Sequence, residues 1–215
     1  MRVVRFLALA ALSLPVSLSA QMGLAARGST LGVGGELLMR AGRGFGFRLG
    51  GNYFQLSRDL TIQDNHYTVT PHFENGTAIV DLFPFGGPFH LSGGVILNYN
   101  EGRLVGHPPF SIGGQSYTGD EVTEFTGMVS FKRSAPYVGL GLAGRGRFAL
   151  LLDLGVGFTG TPIVTLSGET TLQGSAKTDL ETRLLAEQQK VQDEIDSHVW
   201  LRYHPVVSLG LKLGF

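Results

Sequence analysis

Cysteine is absent from the 215 residues, so disulfides and thiol chemistry are excluded, as is a lipid-modified cysteine at a mature N-terminus. No charge of one sign predominates. The 17 basic and 17 acidic residues cancel, and no polybasic or polyacidic field points to nucleic acid as a partner. After the N-terminal segment no run of 18 consecutive apolar residues occurs, although 43% of the chain is hydrophobic. A transmembrane helix in the mature chain is thereby disfavoured. The six histidines, at 66, 72, 90, 107, 198 and 204, lack metal-ligand spacing and have no cysteine partners, so neither a metal nor a cofactor is expected. "NGT" at 75–77 matches the glycosylation acceptor pattern but reads as an ordinary loop end.

Glycine, by contrast, is abundant at 32 residues, with no period-three repeat. The first twenty residues read as a cleaved signal peptide. Arg2 and Arg5 precede an apolar stretch from Phe6 to Leu14, Pro15 breaks it, and small residues follow. Cleavage is expected after Ala20, with Ser19 as the alternative, and leaves a mature chain of 21–215 with 15 basic and 17 acidic residues.

That mature part is built of period-two stretches, the signature of strands with two unlike faces. In "LGVGGELLMR", Leu31, Val33, Leu37 and Met39 oppose Glu36 and Arg40. In "FGFRLGGNYF", Phe45, Phe47, Leu49 and Tyr53 oppose Arg48 and Asn52. The same alternation runs through "TAIVDLFPF", "FHLSGGVILNY", "APYVGLGLA", "FALLLDLGVGF" and the final "YHPVVSLGLKLGF". One face is continuously apolar and aromatic at its ends. The other mixes glycine with the isolated charges Glu36, Arg40, Arg48, Asp81, Asp153, Arg202 and Lys212. Those charges are too few to make the wet face of a soluble sandwich, but they suit a narrow interior in which opposite signs pair. The apolar face then meets lipid, where a charge at mid-membrane costs about 2–4 kcal/mol. The sequence therefore predicts an all-β, antiparallel transmembrane β-barrel, which also leaves no open sheet edge.

Loop lengths give its direction. Short turns at "AGRG", "GGP" and "GRGR" fall on the periplasmic side, and long connections near 57–70, 100–124 and 160–197 face outward. Seven strands are evident and an even number is required, so "MGLAARGS" is expected to supply the eighth. An eight-stranded interior is filled by side chains.

At the C-terminus, Ser208, Gly210, Leu213 and Phe215 resemble the β-signal read by the bacterial barrel-assembly machinery, with Leu213 where an aromatic is often found. The whole mature chain resembles small outer-membrane barrels of the OmpA/OmpX/OmpW kind, with "DLFPFGGPFHLSGGV" and "YHPVVSLG" similar to proteobacterial outer-membrane proteins. The resemblance implies a monomer in the bacterial outer membrane, in contact with its lipid and lipopolysaccharide. It brings no activity.

Three constellations test that reading. "GLGLAG", Gly139 to Gly144, satisfies G-x-G-x-x-G, but a strand follows it where a dinucleotide site needs a helix, so its glycines are expected inside the barrel. His90 and Ser92 share a face, as in outer-membrane lipid A deacylases, but Gly93 stands where those enzymes continue with Asn. His204 and Ser208 lie too far apart along a strand to pair directly.

One segment differs in character. "TDLETRLLAEQQKVQDEIDS" predicts a helix at about 178–196, with a Thr178–Glu181 capping box and a stripe of Leu180, Leu184, Val191 and Ile195. It is an ornament on an outer connection, a lid over the barrel mouth, or a surface that meets lipopolysaccharide through bridging cations. The expected function is non-enzymatic, structural or interactive, with a narrow channel and a lipid A hydrolase as alternatives.

If the C-terminal pattern is an assembly signal, replacing Phe215 by Asp blocks insertion while leaving export intact. Fractionation of cells expressing Phe215→Asp checks this, and wild-type levels in the outer membrane would remove the signal role.

Overall fold

The computed structural model describes residues 20–62 and 65–214. Most of the expected signal peptide and Phe215 lie outside the described residues. In chain order the elements are β1 (Ala20–Ser29), β2 (Gly32–Ala41), β3 (Phe45–Gln55), β4 (Arg58–Ile62), β5 (Asn65–Leu82), β6 (Phe89–Asn98) and β7 (Glu101–His107). Then come β8 (Phe110–Ile112), β9 (Gln115–Tyr117), β10 (Val122–Ser130), β11 (Ser134–Ala143), β12 (Phe148–Gly157) and β13 (Ile163–Thr170). Helix α1 (Gly174–Ser197), a 3₁₀ turn (Val199–Arg202) and β14 (His204–Gly214) end the series.

Eight of these strands form a closed antiparallel barrel in the order β1-β2-β3-β5-β6-β11-β12-β14. The ring shuts where β14 pairs with β1, from Gly23↔Gly214 to Ser29↔Ser208. The eighth strand is indeed the stretch containing "MGLAARGS". The apolar residues that alternate along each strand point outward: Leu150, Leu209 and Leu211 are all more than half exposed. Exposed aromatics bracket this belt, with Phe45, Phe85 and Phe148 at the short-turn end and Tyr53, Tyr99, Phe158 and Tyr203 at the other. An apolar band between aromatic girdles is the outer surface that a bilayer requires. Leu31 departs from the expected apolar face. It sits in the two-residue β1–β2 connection, where the chain turns over the rim and carries its side chain into the interior apolar layer.

The outer connections hold more structure than their polar composition suggested. Strand β5 has 18 residues, more than a membrane-length strand needs. Its lower half, to Leu82, pairs with β3 and β6 in the barrel, and its upper half pairs with β4 and β7. Strand β7 pairs in turn with β10, and β10 with β13. A second sheet, β4-β5-β7-β10-β13, thus rises from the barrel wall.

Helix α1 covers the free edge of β13. It begins at Gly174, four residues earlier than expected, and Gln173 stands at its N-cap without a side-chain cap bond. The Thr178–Glu181 capping box does not form. Thr178 already lies inside the helix, and its hydroxyl donates back to the Gly174 carbonyl at 3.4 Å. Of the expected stripe, Leu180 and Leu184 are buried, in a cluster with Ile112, Tyr117 and Val122, while Val191 is exposed. The second half of the helix is held by glutamines instead. Gln188 Oε1 accepts the Leu166 N–H at 2.9 Å, and Gln192 Oε1 accepts the Val164 N–H at 3.0 Å. Gln192 Nε2 also donates to the Pro162 carbonyl at 3.1 Å. The spacings match: four helical residues rise about 6 Å, and two strand residues span about 6.6 Å. These amides satisfy backbone groups that would otherwise template pairing with another chain.

Replacing Gln188 and Gln192 by Ala is expected to speed amide exchange at Val164 and Leu166 by about tenfold or more, the loss of roughly one net hydrogen bond each. Exchange in β1 and β14 should not change. Hydrogen exchange with mass spectrometry checks this, and unaltered β13 protection would remove the edge-covering role.

Candidate functional site: a charge cluster across the barrel lumen

Within the membrane band the charges of the barrel strands lie on the inward face, which period-two alternation dictates once the apolar face meets lipid, whereas Glu74, opposite Tyr53 at the outer rim of β5, is exposed. At mid-barrel, Glu36 on β2, Arg48 on β3, Asp81 on β5 and Asp153 on β12 converge, all buried. Arg48 is the centre. Its Nε lies 2.7 Å from Asp81 Oδ2, and Nη2 is 2.9 Å from Asp81 Oδ1 and 3.1 Å from Asp153 Oδ1. Nη1 faces Glu36 Oε1 at 3.6 Å. Arg27, from β1, completes the ring. Its Nε faces Glu36 Oε2 at 3.0 Å, and its Nη2 makes a short contact with Asp153 Oδ2. His90 Nε2 is 2.9 Å from Asp153 Oδ1, and Ser92 donates to Asp81 Oδ1 at 2.7 Å. Seven residues from six barrel strands are thus tied together.

Of the other charges expected inside, Arg40 and Lys212 line the lumen nearer the short turns, without carboxylate partners among the described residues. Arg40 stacks on Phe83 at 3.9 Å from the ring centroid, and Lys212 Nζ donates to the Gly144 carbonyl at 3.3 Å. Arg202 is not in the barrel. It belongs to the 3₁₀ turn above β14 and is exposed, because the extended strand begins only at His204. Its carbonyl instead accepts the Gly160 N–H at 3.1 Å. Sequence reasoning missed Arg27 altogether. The small residues around it in "LAARGS" leave β1 with too little apolar contrast to mark its faces.

The glycines of "GLGLAG" make room for this cluster. A Cβ on Gly141 would come within 2.7 Å of both His90 Cε1 and Asp153 Oδ1. Across the hairpin, a Cβ on Gly155 would lie 2.6 Å from the Tyr137 ring. The motif is therefore a sheet wall against which bulky inward side chains lie, and no helix follows it. Gly210, within the expected assembly signal, likewise packs against Arg27, whose Cγ would be 2.9 Å from an added Cβ. Ser208 is buried inside the barrel, and Leu213 points outward.

The cluster forms a wall between two spaces. Toward the short turns lies a cavity of about 1070 Å³, and on the far side one of about 30 Å³; Arg27 and Arg48 line both. Around the smaller space an apolar layer of Leu31, Ile79, Ile96, Ala135, Tyr137 and Val206 fills the barrel. Asparagines at the outer rim are paired in turn, half-buried Asn52 to buried Asn75 at 2.9 Å and Asn75 to the Leu31 carbonyl at 2.9 Å.

The arrangement is poor for hydrolysis. The Ser92 hydroxyl donates to Asp81 and accepts from Arg48 at 3.1 Å, while His90 meets Asp153 through Nε2 and its buried Nδ1 has no hydrogen-bond partner among the described residues. Serine and histidine are thus not paired as nucleophile and base.

This is the fold of outer-membrane β-barrel proteins. The crystal structure of Acinetobacter baumannii CarO is similar over 91% of this chain and 98% of its own, at 24% identity and a TM-score of 0.59. CarO2 of the same organism matches over the same shares, at 23% identity and a TM-score of 0.60. No family model and no curated sequence matches the chain.

Proposed function

We propose that the chain is a non-enzymatic outer-membrane protein whose lumen is closed, and whose barrel serves as an anchor for the outer sheet and α1. The observation that carries this reading is the ion cluster at mid-barrel. Arg48 and Asp153 are 3% and 1% exposed, and side chains from six of the eight strands meet there, closing the lumen at that level. An apolar layer on one side strengthens the closure. Outer-membrane location is supported by the apolar belt between two aromatic bands and by the fold shared with CarO. Helix α1 fits the part of an edge cover better than that of a lid, since its contacts run to β13 of the outer sheet and to β8 of the separate β8–β9 hairpin.

Purified protein in planar bilayers is expected to show no stable conductance steps, and deletion of residues 174–197 with a Gly/Ser link should leave that unchanged. Steady openings of the intact protein would favour a narrow channel. Openings that appear only on deletion, with the barrel still folded, would make the helix a gate.

A further inference from the structure

The cavity at the short-turn end is unusual in its charge. Arg27 and Arg48 at its floor are matched by Glu36, Asp81 and Asp153. Five further cations line it: Arg40, Arg43, Arg145, Arg147 and Lys212. None of the five has a carboxylate partner among the described residues. They come from three places in the chain, the end of β2 with the turn that follows it, the β11–β12 turn and the last strand, so they converge only in the closed barrel.

Three of them are held by backbone carbonyls. Arg40 Nη2 donates to Arg43 O at 3.3 Å and Gly87 O at 3.4 Å, Arg145 Nη2 to Gly86 O at 3.0 Å, and Lys212 Nζ to Gly144 O at 3.3 Å. Each contact uses part of a guanidinium with five donors or an ammonium with three, and the remaining donors have no acceptor among the described residues. Like charges gathered around a concavity repel one another unless an anion joins them, and the effect is stronger where low-dielectric walls limit screening. Forked guanidiniums match the oxygens of phosphate in particular. The space, about 1070 Å³, is ample for a small anion or a lipid headgroup. Phe85, 82% exposed in the β5–β6 turn at the cavity's edge, offers apolar contact beside it.

We propose that this vestibule binds a phosphate-bearing anion, supplied either by a phospholipid headgroup of the adjoining leaflet or by a soluble periplasmic phosphate compound. The cluster at its floor stops the anion from passing further, so the site is a terminus and not a conduction path.

Two probes separate the sources: inorganic pyrophosphate, titrated calorimetrically into the full chain in zwitterionic detergent, and phosphatidylglycerol against phosphatidylcholine, scored by native mass spectrometry. The turn variant Arg43→Gln/Arg145→Gln/Arg147→Gln alters only exposed residues. Lys212→Gln is a second, independent variant from the strand, and Arg103→Gln/Lys132→Gln/Arg133→Gln removes equal charge from the outer side. The folded state of each is checked by its gel shift on boiling. Wild type should bind pyrophosphate, and the turn variant should lose at least about tenfold in affinity, with a smaller loss for Lys212→Gln and none for the outer variant; salt should weaken binding. Retention of phosphatidylglycerol that pyrophosphate displaces assigns the site to lipid headgroups, and pyrophosphate binding without lipid retention assigns it to soluble phosphates. Failure of wild type to bind either probe, or equal losses in the turn and outer variants, overturns the proposal.

Discussion

A guanidinium cannot be taken out of water alone, and Arg48 is almost wholly out of water. Its place inside the barrel requires Asp81, Asp153 and Glu36, and these arrive on three other strands. Breaking a buried ion set by removing one partner typically costs about 3–5 kcal/mol, because the group left behind stays buried. The network therefore penalises any register in which one strand slips, since a one-residue shift turns the charge toward lipid. Closure of the lumen follows from the same contacts. Side chains long enough to meet across an eight-stranded ring leave no room for a pore.

The glycine content belongs to this arrangement. Bulky inward groups such as Tyr137, His90 and Arg27 lie against strand surfaces bare of side chains at Gly155, Gly141 and Gly210. Above the membrane the constraint changes. The outer sheet has no lipid to face and does not close, so its edge at β13 is covered instead. A polar helix does this through two glutamines in step with the strand, while only Leu180 and Leu184 anchor it by burial. The end near the short turns is different again, with cations that the interior does not neutralise.

The barrel was legible because lipid imposes contrast: every membrane-length strand has one apolar face, and alternation exposes it. Where that contrast fades, the reading fades too. The upper half of β5 and strands β7, β10 and β13 carry polar residues such as Thr70, Arg103, Thr126 and Ser167, and so passed for loops. Arg27 was hidden among alanines and glycines. Arg202 was assigned inward by extending the alternation of β14 past its true start. The ion cluster was foreseeable as a set of inward charges, but which of them meet depends on tilt and register around the ring. Period two says nothing of these. Glutamines four apart in "EQQKVQ" were visible, yet their role needs a strand edge at matching spacing.

The absence of native cysteine allows a direct test of closure at the ion cluster. Single thiols can be placed below it, as Leu38→Cys, and above it, as Ile96→Cys, in protein that still migrates as a folded barrel without boiling. A hydrophilic maleimide should label Leu38→Cys, whose site lines the open vestibule, and leave Ile96→Cys unlabelled until the barrel is unfolded. Equal, rapid labelling of both thiols in the folded protein would contradict a lumen closed at Arg48.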